Sequence, residues 1–214
     1  MHRAILAVLV LFCACSPEPP DDLVVYNAVP DVLSGGEMRT RSLIITGAGR
    51  VLALSRGPDG VVVRTGSAGA AFEELRKALS RARHLPKDTA ALELGVRTYQ
   101  VRAVLGGVTI ELTRDPRQRV ERDVESVVES LEAIWKATEP AADVVATVQP
   151  FFADRNPRVR GWVAVCLLKV RGDEDAPPEL RAAAEKALRD HLEVEEERDI
   201  VHGIRDVIDQ PDEE

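Results

Sequence analysis

Tyr99-Gln100-Val101-Arg102-Ala103-Val104-Leu105-Gly106-Gly107-Val108-Thr109-Ile110-Glu111-Leu112-Thr113 carries the plainest β-hairpin pattern in the chain. Tyr99, Val101, Ala103 and Leu105 alternate with Gln100 and Arg102, the period of two that lines one face of a strand with apolar side chains. Gly106-Gly107 supplies the positive φ that a two-residue hairpin turn demands, and Val108 to Thr113 returns as the second strand. Four more runs read as strands upstream: Leu23 to Val29, Ser42 to Thr46, Val51 to Ser55 and Val61 to Thr65. Gly47-Ala48-Gly49 and Arg56-Gly57-Pro58-Asp59-Gly60 separate them as turns.

Two helices interrupt the strands. Ala70 to Arg83 carries Phe72, Leu75, Leu79 and Ala82 on one face and is stopped by Pro86. A second opens at Asp115-Pro116, an N-cap followed by proline at the first helical position, and buries Val120, Val124, Val127, Leu131 and Ile134. Strand pairs with helices between them imply an α+β fold with a mostly antiparallel sheet and helices on one face.

After Glu139-Pro140 the pattern turns fully helical. Helices are expected over Ala141 to Ala153, Pro157 to Val170, Pro178 to Leu192 and about Glu195 to Ile208, forming two hairpins. Sliding the second hairpin back by 42 residues lays Val201, Ile204, Val207 and Ile208 on Val159, Trp162, Val165 and Cys166, and Gly203 on Gly161. Phe151-Phe152-Ala153-Asp154-Arg155-Asn156-Pro157-Arg158-Val159-Arg160 resembles the inter-helix turn of HEAT repeats of the PBS-lyase-like type. The resemblance implies an all-α HEAT-like segment in which Asp154 and Arg160 bond the turns of successive units. The second unit departs from it, with Glu196 and His202 at the matching places, and Ala146 stands where the family has a proline. Two units leave an apolar face open, so either the helix Val120 to Trp135 or a partner is expected to close the stack. Trp162 is then a core residue, and Glu193, Glu195, Glu196, Glu197 and Asp199 form a solvated helix start.

At the other end, His2-Arg3 precedes the apolar stretch Ala4 to Phe12 and then Cys13-Ala14-Cys15, a signal-peptide pattern too short to span a bilayer. The boundary resembles a bacterial lipobox, which implies lipidation of Cys15 and attachment to the envelope, with Ser16 behind it favouring the outer membrane where the cell has two. Cleavage by an ordinary signal peptidase is the alternative. Ser16 to Asp22 is Pro-rich and acidic, the composition of a stiff spacer. The expected organisation is a leader (1–15), a tether (16–22), an α+β domain (23–138) and HEAT-like repeats (139–214).

Composition narrows the chemistry. Net charge is −8 and aromatics make up 4%, so neither a phosphate backbone nor a stacking ligand is favoured, and no nucleic-acid partner is expected. The run Arg114, Arg117, Arg119 and Arg122 reads as a solvated helix start beside Glu121, Asp123 and Glu125. Cys166 lies in an apolar helical run and reads as a small buried hydrophobe. Gly47-Ala48-Gly49 fails as a dinucleotide fingerprint, because Leu52 occupies the third glycine position and a strand follows. His84 has no ligand-type neighbour at metal spacing, and nothing nominates a nucleophile, base, metal or cofactor. The expected role is a non-catalytic, membrane-tethered interaction module or scaffold with an unidentified protein partner. An exported small-ligand or structural envelope protein is the alternative, followed by a bilin-lyase-like accessory, which the leader contradicts.

Overall fold

The computed structural model describes residues 22–29, 40–57, 60–82, 98–114 and 122–209. Cys15, most of the spacer, His84, Asp115-Pro116, Arg117, Arg119 and the last five residues lie outside the described residues.

Among the described residues seven strands form one antiparallel sheet: β1 (Leu23–Val29), β2 (Thr40–Thr46), β3 (Arg50–Gly57), β4 (Gly60–Ser67), β5 (Thr98–Leu105), β6 (Val108–Arg114) and the two-residue β7 (Glu139–Pro140). Their order is β6-β5-β1-β2-β3-β4-β7. The six long strands match the sequence reading, and both hairpin turns behave as their glycines require. Gly106 and Gly107 take φ of 54° and 77° between Leu105 and Val108, and Gly49 takes 74° as its N–H donates to the Thr46 carbonyl at 2.7 Å. Asp22, assigned to the spacer from sequence, is buried in the fold. It accepts the Gly106 N–H at 2.8 Å and pairs with Arg76.

One face of the sheet carries α1 (Gly69–Ala82) and α2 (Arg122–Lys136). Val24, Tyr26, Leu43, Ile45, Val51, Ala53, Val101, Ala103 and Ile110 point to this face and share a core with Phe72, Leu75, Leu79, Val127, Leu131 and Ile134. Tyr26, fully buried, donates its hydroxyl to Glu132 at 2.6 Å, which fixes α2 over β1.

Helices were expected on one face only; they cover both. Leu23, Ile44, Leu52, Leu54 and Val63 point the opposite way and join a second core with Val148, Phe151, Val159, Val163, Leu167, Leu188 and Ile204 from the C-terminal helices. Those are α3 (Val144–Val148), a 3₁₀ turn (Gln149–Ala153), α4 (Pro157–Arg171), α5 (Pro178–Leu192) and α6 (Arg198–Ile208). The cause lies in β2 and β3. Leu43-Ile44-Ile45 and Val51-Leu52-Ala53-Leu54 are unbroken apolar runs, so alternate residues present oil on both faces and both must be covered. The helix expected to close the C-terminal stack, now α2, is therefore on the wrong side of the sheet, with its apolar stripe already used against α1 and β1. The sheet itself closes the stack. The helices after residue 139 thus share their core with strands β1 to β4.

The chain changes faces at the β4 edge. Thr138, buried after α2, donates to the Trp135 carbonyl at 2.7 Å and accepts Arg64 Nε at 2.9 Å, while Ala141 N–H bonds the Val63 carbonyl at 2.9 Å. Pro140 then keeps the edge strand short. The expected helix over Ala141 to Ala153 divides into α3 and the 3₁₀ turn because Pro150 has no N–H to continue the α-ladder. Asp143 and Asn156 cap α3 and α4 through their side chains, accepting Ala146 and Arg158 N–H at 2.9 Å each.

Between α4 and α5, buried Asp173 reaches down to the β3–β4 turn and accepts the Val61 N–H at 2.7 Å. A Cβ on Gly60, whose φ is 91°, would stand 2.8 Å from that carboxylate. Gly60→Ala is therefore expected to cost about 1–3 kcal/mol more than Gly106→Ala, whose Cβ would meet nothing, in urea unfolding. Equal costs would show that Asp173 does not hold the helical layer to this turn.

Candidate functional site

Two arginine–carboxylate links run in series across the helical layer. Arg50, at the start of β3, donates to Asp154 at 3.1 Å and stacks over Phe151 with its guanidinium carbon 4.3 Å from the ring centre. Asp154 also accepts the Asn156 N–H at 3.0 Å. One hairpin further on, Arg160 grips Glu195 through Nε at 2.7 Å and Nη2 at 2.9 Å, and its Nη1 reaches the Asp154 and Arg155 carbonyls at 3.0 and 3.1 Å. The two residues singled out in the sequence thus meet, but through the Asp154 carbonyl. The Asp154 carboxylate is turned toward Arg50 at the start of β3.

Glu195 departs from the expected solvated helix start. Its side chain is only 2% exposed, so it is not part of a solvated helix start, and it receives Arg160. The Arg160 hydrogen bonds hold its carboxyl at about 2, well below the usual 4.5. His191, buried one turn earlier, stacks on Phe152 at 3.8 Å and lies 2.8 Å from Glu195, in a contact poorly aligned for a hydrogen bond. Burial pushes its imidazole below the ordinary value, against the pull of Glu195. The i, i+4 spacing of His191 and Glu195 was the one sequence signal for this cluster, and without the fold it does not distinguish a buried pair from an exposed one.

Beside this cluster runs a groove between α4 and α6. Its volume is about 490 Å³ and its floor is Gly161, Ala164, Val165, Leu168, Ile200, Gly203 and Ile204. Gly161 and Gly203, aligned in the sequence by the shift of 42, both line it. Gly161 lies against Ile200, with a Cβ there 3.6 Å from the isoleucine, whereas a Cβ on Gly203 would meet nothing. Arg158, Glu197 and Asp199 stand where both helices begin. Val165, 49% exposed on the floor, is a large aliphatic side chain left to solvent. Trp162, half-buried, packs against the second core outside this lining.

Elsewhere the chemistry is sparse. Burial pushes the Cys166 thiol up to about 12, which keeps it protonated and unreactive at neutral pH. Among the described residues there is no group of three or more His, Cys, Asp or Glu able to hold a metal, and no helix long and apolar enough to cross a membrane.

No family model matches the chain, and no curated protein matches it.

Proposed function

We propose that the protein is an exported, lipid-tethered, non-catalytic interaction module that docks a protein partner on its C-terminal helical hairpins. The groove between α4 and α6 carries this reading: it is apolar, open to solvent and built on two helices, with Arg160 of α4 bound to Glu195 in the turn that leads into α6. The serial links Arg50–Asp154 and Arg160–Glu195 support the HEAT-like character of the segment, since each joins one layer to the turn of the next. The leader and Cys15 support the tether, and Pro17, Pro19 and Pro20 suit a spacer that holds the fold off a surface.

Two measurements test this. Metabolic labelling with a palmitate analogue is expected to mark the wild-type protein and not Cys15→Ser; equal labelling of both would remove the anchor. A photo-crosslinking residue at Val165 is expected to trap a discrete protein in the native envelope, and one at Val108, 46% exposed on β6, is not. The same pattern from both positions would remove the docking face. A second reading, a small apolar ligand, draws on the groove volume, which lies in the range of ligand pockets. It predicts enhancement of an apolar fluorescent probe that Gly203→Leu abolishes.

A further inference from the structure

Charge is distributed unevenly along this chain. Residues 139–214 hold 10 Lys and Arg against 19 Asp and Glu, whereas residues 1–138 hold 18 against 17. The acidic character of the molecule therefore resides in the segment that builds the groove. Most carboxylates bordering the second core are engaged: Asp154 with Arg50, Glu185 with Arg171 and Arg189, Glu195 with Arg160. Glu197 and Asp199 are exposed at the groove's mouth and have no ion pair among the described residues. Arg158 is the single cation of the lining, so the mouth is net negative.

The groove's form selects a helix as occupant. From Pro157 to Leu168 the floor follows α4 for about 17 Å at 1.5 Å per residue, the length of three helical turns. Gly161, Ala164 and Gly203 keep the floor low enough for another helix to approach at a packing distance of about 8–10 Å. Val165, Leu168 and Ile200 offer that helix an aliphatic seam above buried Ile204. We infer that the α4–α6 groove receives an amphipathic helix of another protein whose apolar stripe is flanked by Lys or Arg, with the basic residues set against Glu197 and Asp199. This rests on the docking reading above and assigns the chemistry of the partner.

The test uses two synthetic helical peptides with the same Leu/Ala stripe, one flanked by Lys and one by Glu. Binding is measured to the full-length protein in zwitterionic-lipid nanodiscs, with empty nanodiscs as the blank. The Lys peptide is expected to bind about tenfold more tightly than the Glu peptide, as two rim charge pairs allow, and the difference should shrink with added salt. Gly203→Leu, which fills open space on a helix and favours helical structure, is expected to return binding to the blank. Glu197→Lys combined with Asp199→Lys is expected to reverse the peptide preference. Equal binding of both peptides, no binding of either, or binding unchanged by Gly203→Leu would overturn the inference. So would a concentration-dependent dimer abolished by Gly203→Leu, which would make a second copy the occupant. A discrete crosslink from Val165 alongside any of these failures would leave the docking reading standing, whereas its absence would remove both.

Discussion

Ile44→Glu is expected to destabilise the protein by about 3–5 kcal/mol and to lower its urea midpoint by about 1–2 M. Ile44 is fully buried on the face of β2 that turns toward the C-terminal helices, within the core that includes Val163 and Leu167. A glutamate there loses the transfer energy of a large aliphatic side chain and places a carboxyl in an apolar core. Thr109→Lys is the control. Thr109 lies on the same face of the sheet, but on β6, where it is exposed, and its replacement should stay within about 0.5 kcal/mol. The two tryptophans allow a sharper measurement, because Trp135 belongs to α2 on one face and Trp162 to α4 on the other. Variants retaining one tryptophan each should report coincident transitions, since both helical layers share the same strands. A mild effect of Ile44→Glu, or a Trp162 transition well before that of Trp135, would mean that the helical layer does not close the sheet.

The second large effect belongs to Glu195. Its folded pKa of about 2 lies below the usual 4.5, so its contribution is fully present above pH 4.5 and is lost as the pH falls toward 2. A depression of that size corresponds to about 3 kcal/mol. Between pH 5 and pH 2 the wild-type protein should therefore lose about 3 kcal/mol more stability than Glu195→Gln, which has no proton to take up at this position. At neutral pH the glutamine variant should already be the weaker of the two, because the Arg160 guanidinium has lost its counter-charge in a mostly buried place. Urea midpoints measured across this pH range decide the matter. Parallel curves for the two proteins would show that the Arg160–Glu195 pair carries no net stability.

Much of the fold was legible because its signals are local. The β5–β6 hairpin needs only alternating apolar residues and two glycines with positive φ, and both are properties of adjacent residues. Proline and asparagine at the start of α4, and proline at the start of α5, mark those helices in the same way. The number of covered faces was harder to read. Its signal was present in Leu43-Ile44-Ile45 and Val51-Leu52-Ala53-Leu54, whose unbroken apolar character differs from the alternation of β5, but reading those runs as ordinary strands hides the second face. The groove was visible only in part. The matching glycines 161 and 203 could be found by sliding the sequence on itself, yet their shared cavity depends on how α4 and α6 pack.

The elements, the antiparallel pairing of the long hairpins and the acidic bias of the last third follow from the order of neighbouring residues. Packing between layers is what sets the sheet against the C-terminal helices, buries Glu195 against Arg160 and turns Asp154 to Arg50. Those outcomes join residues 35 or more positions apart. Their energies come from desolvation and from geometry across layers, which exist only once the helices have settled on the second face of the sheet.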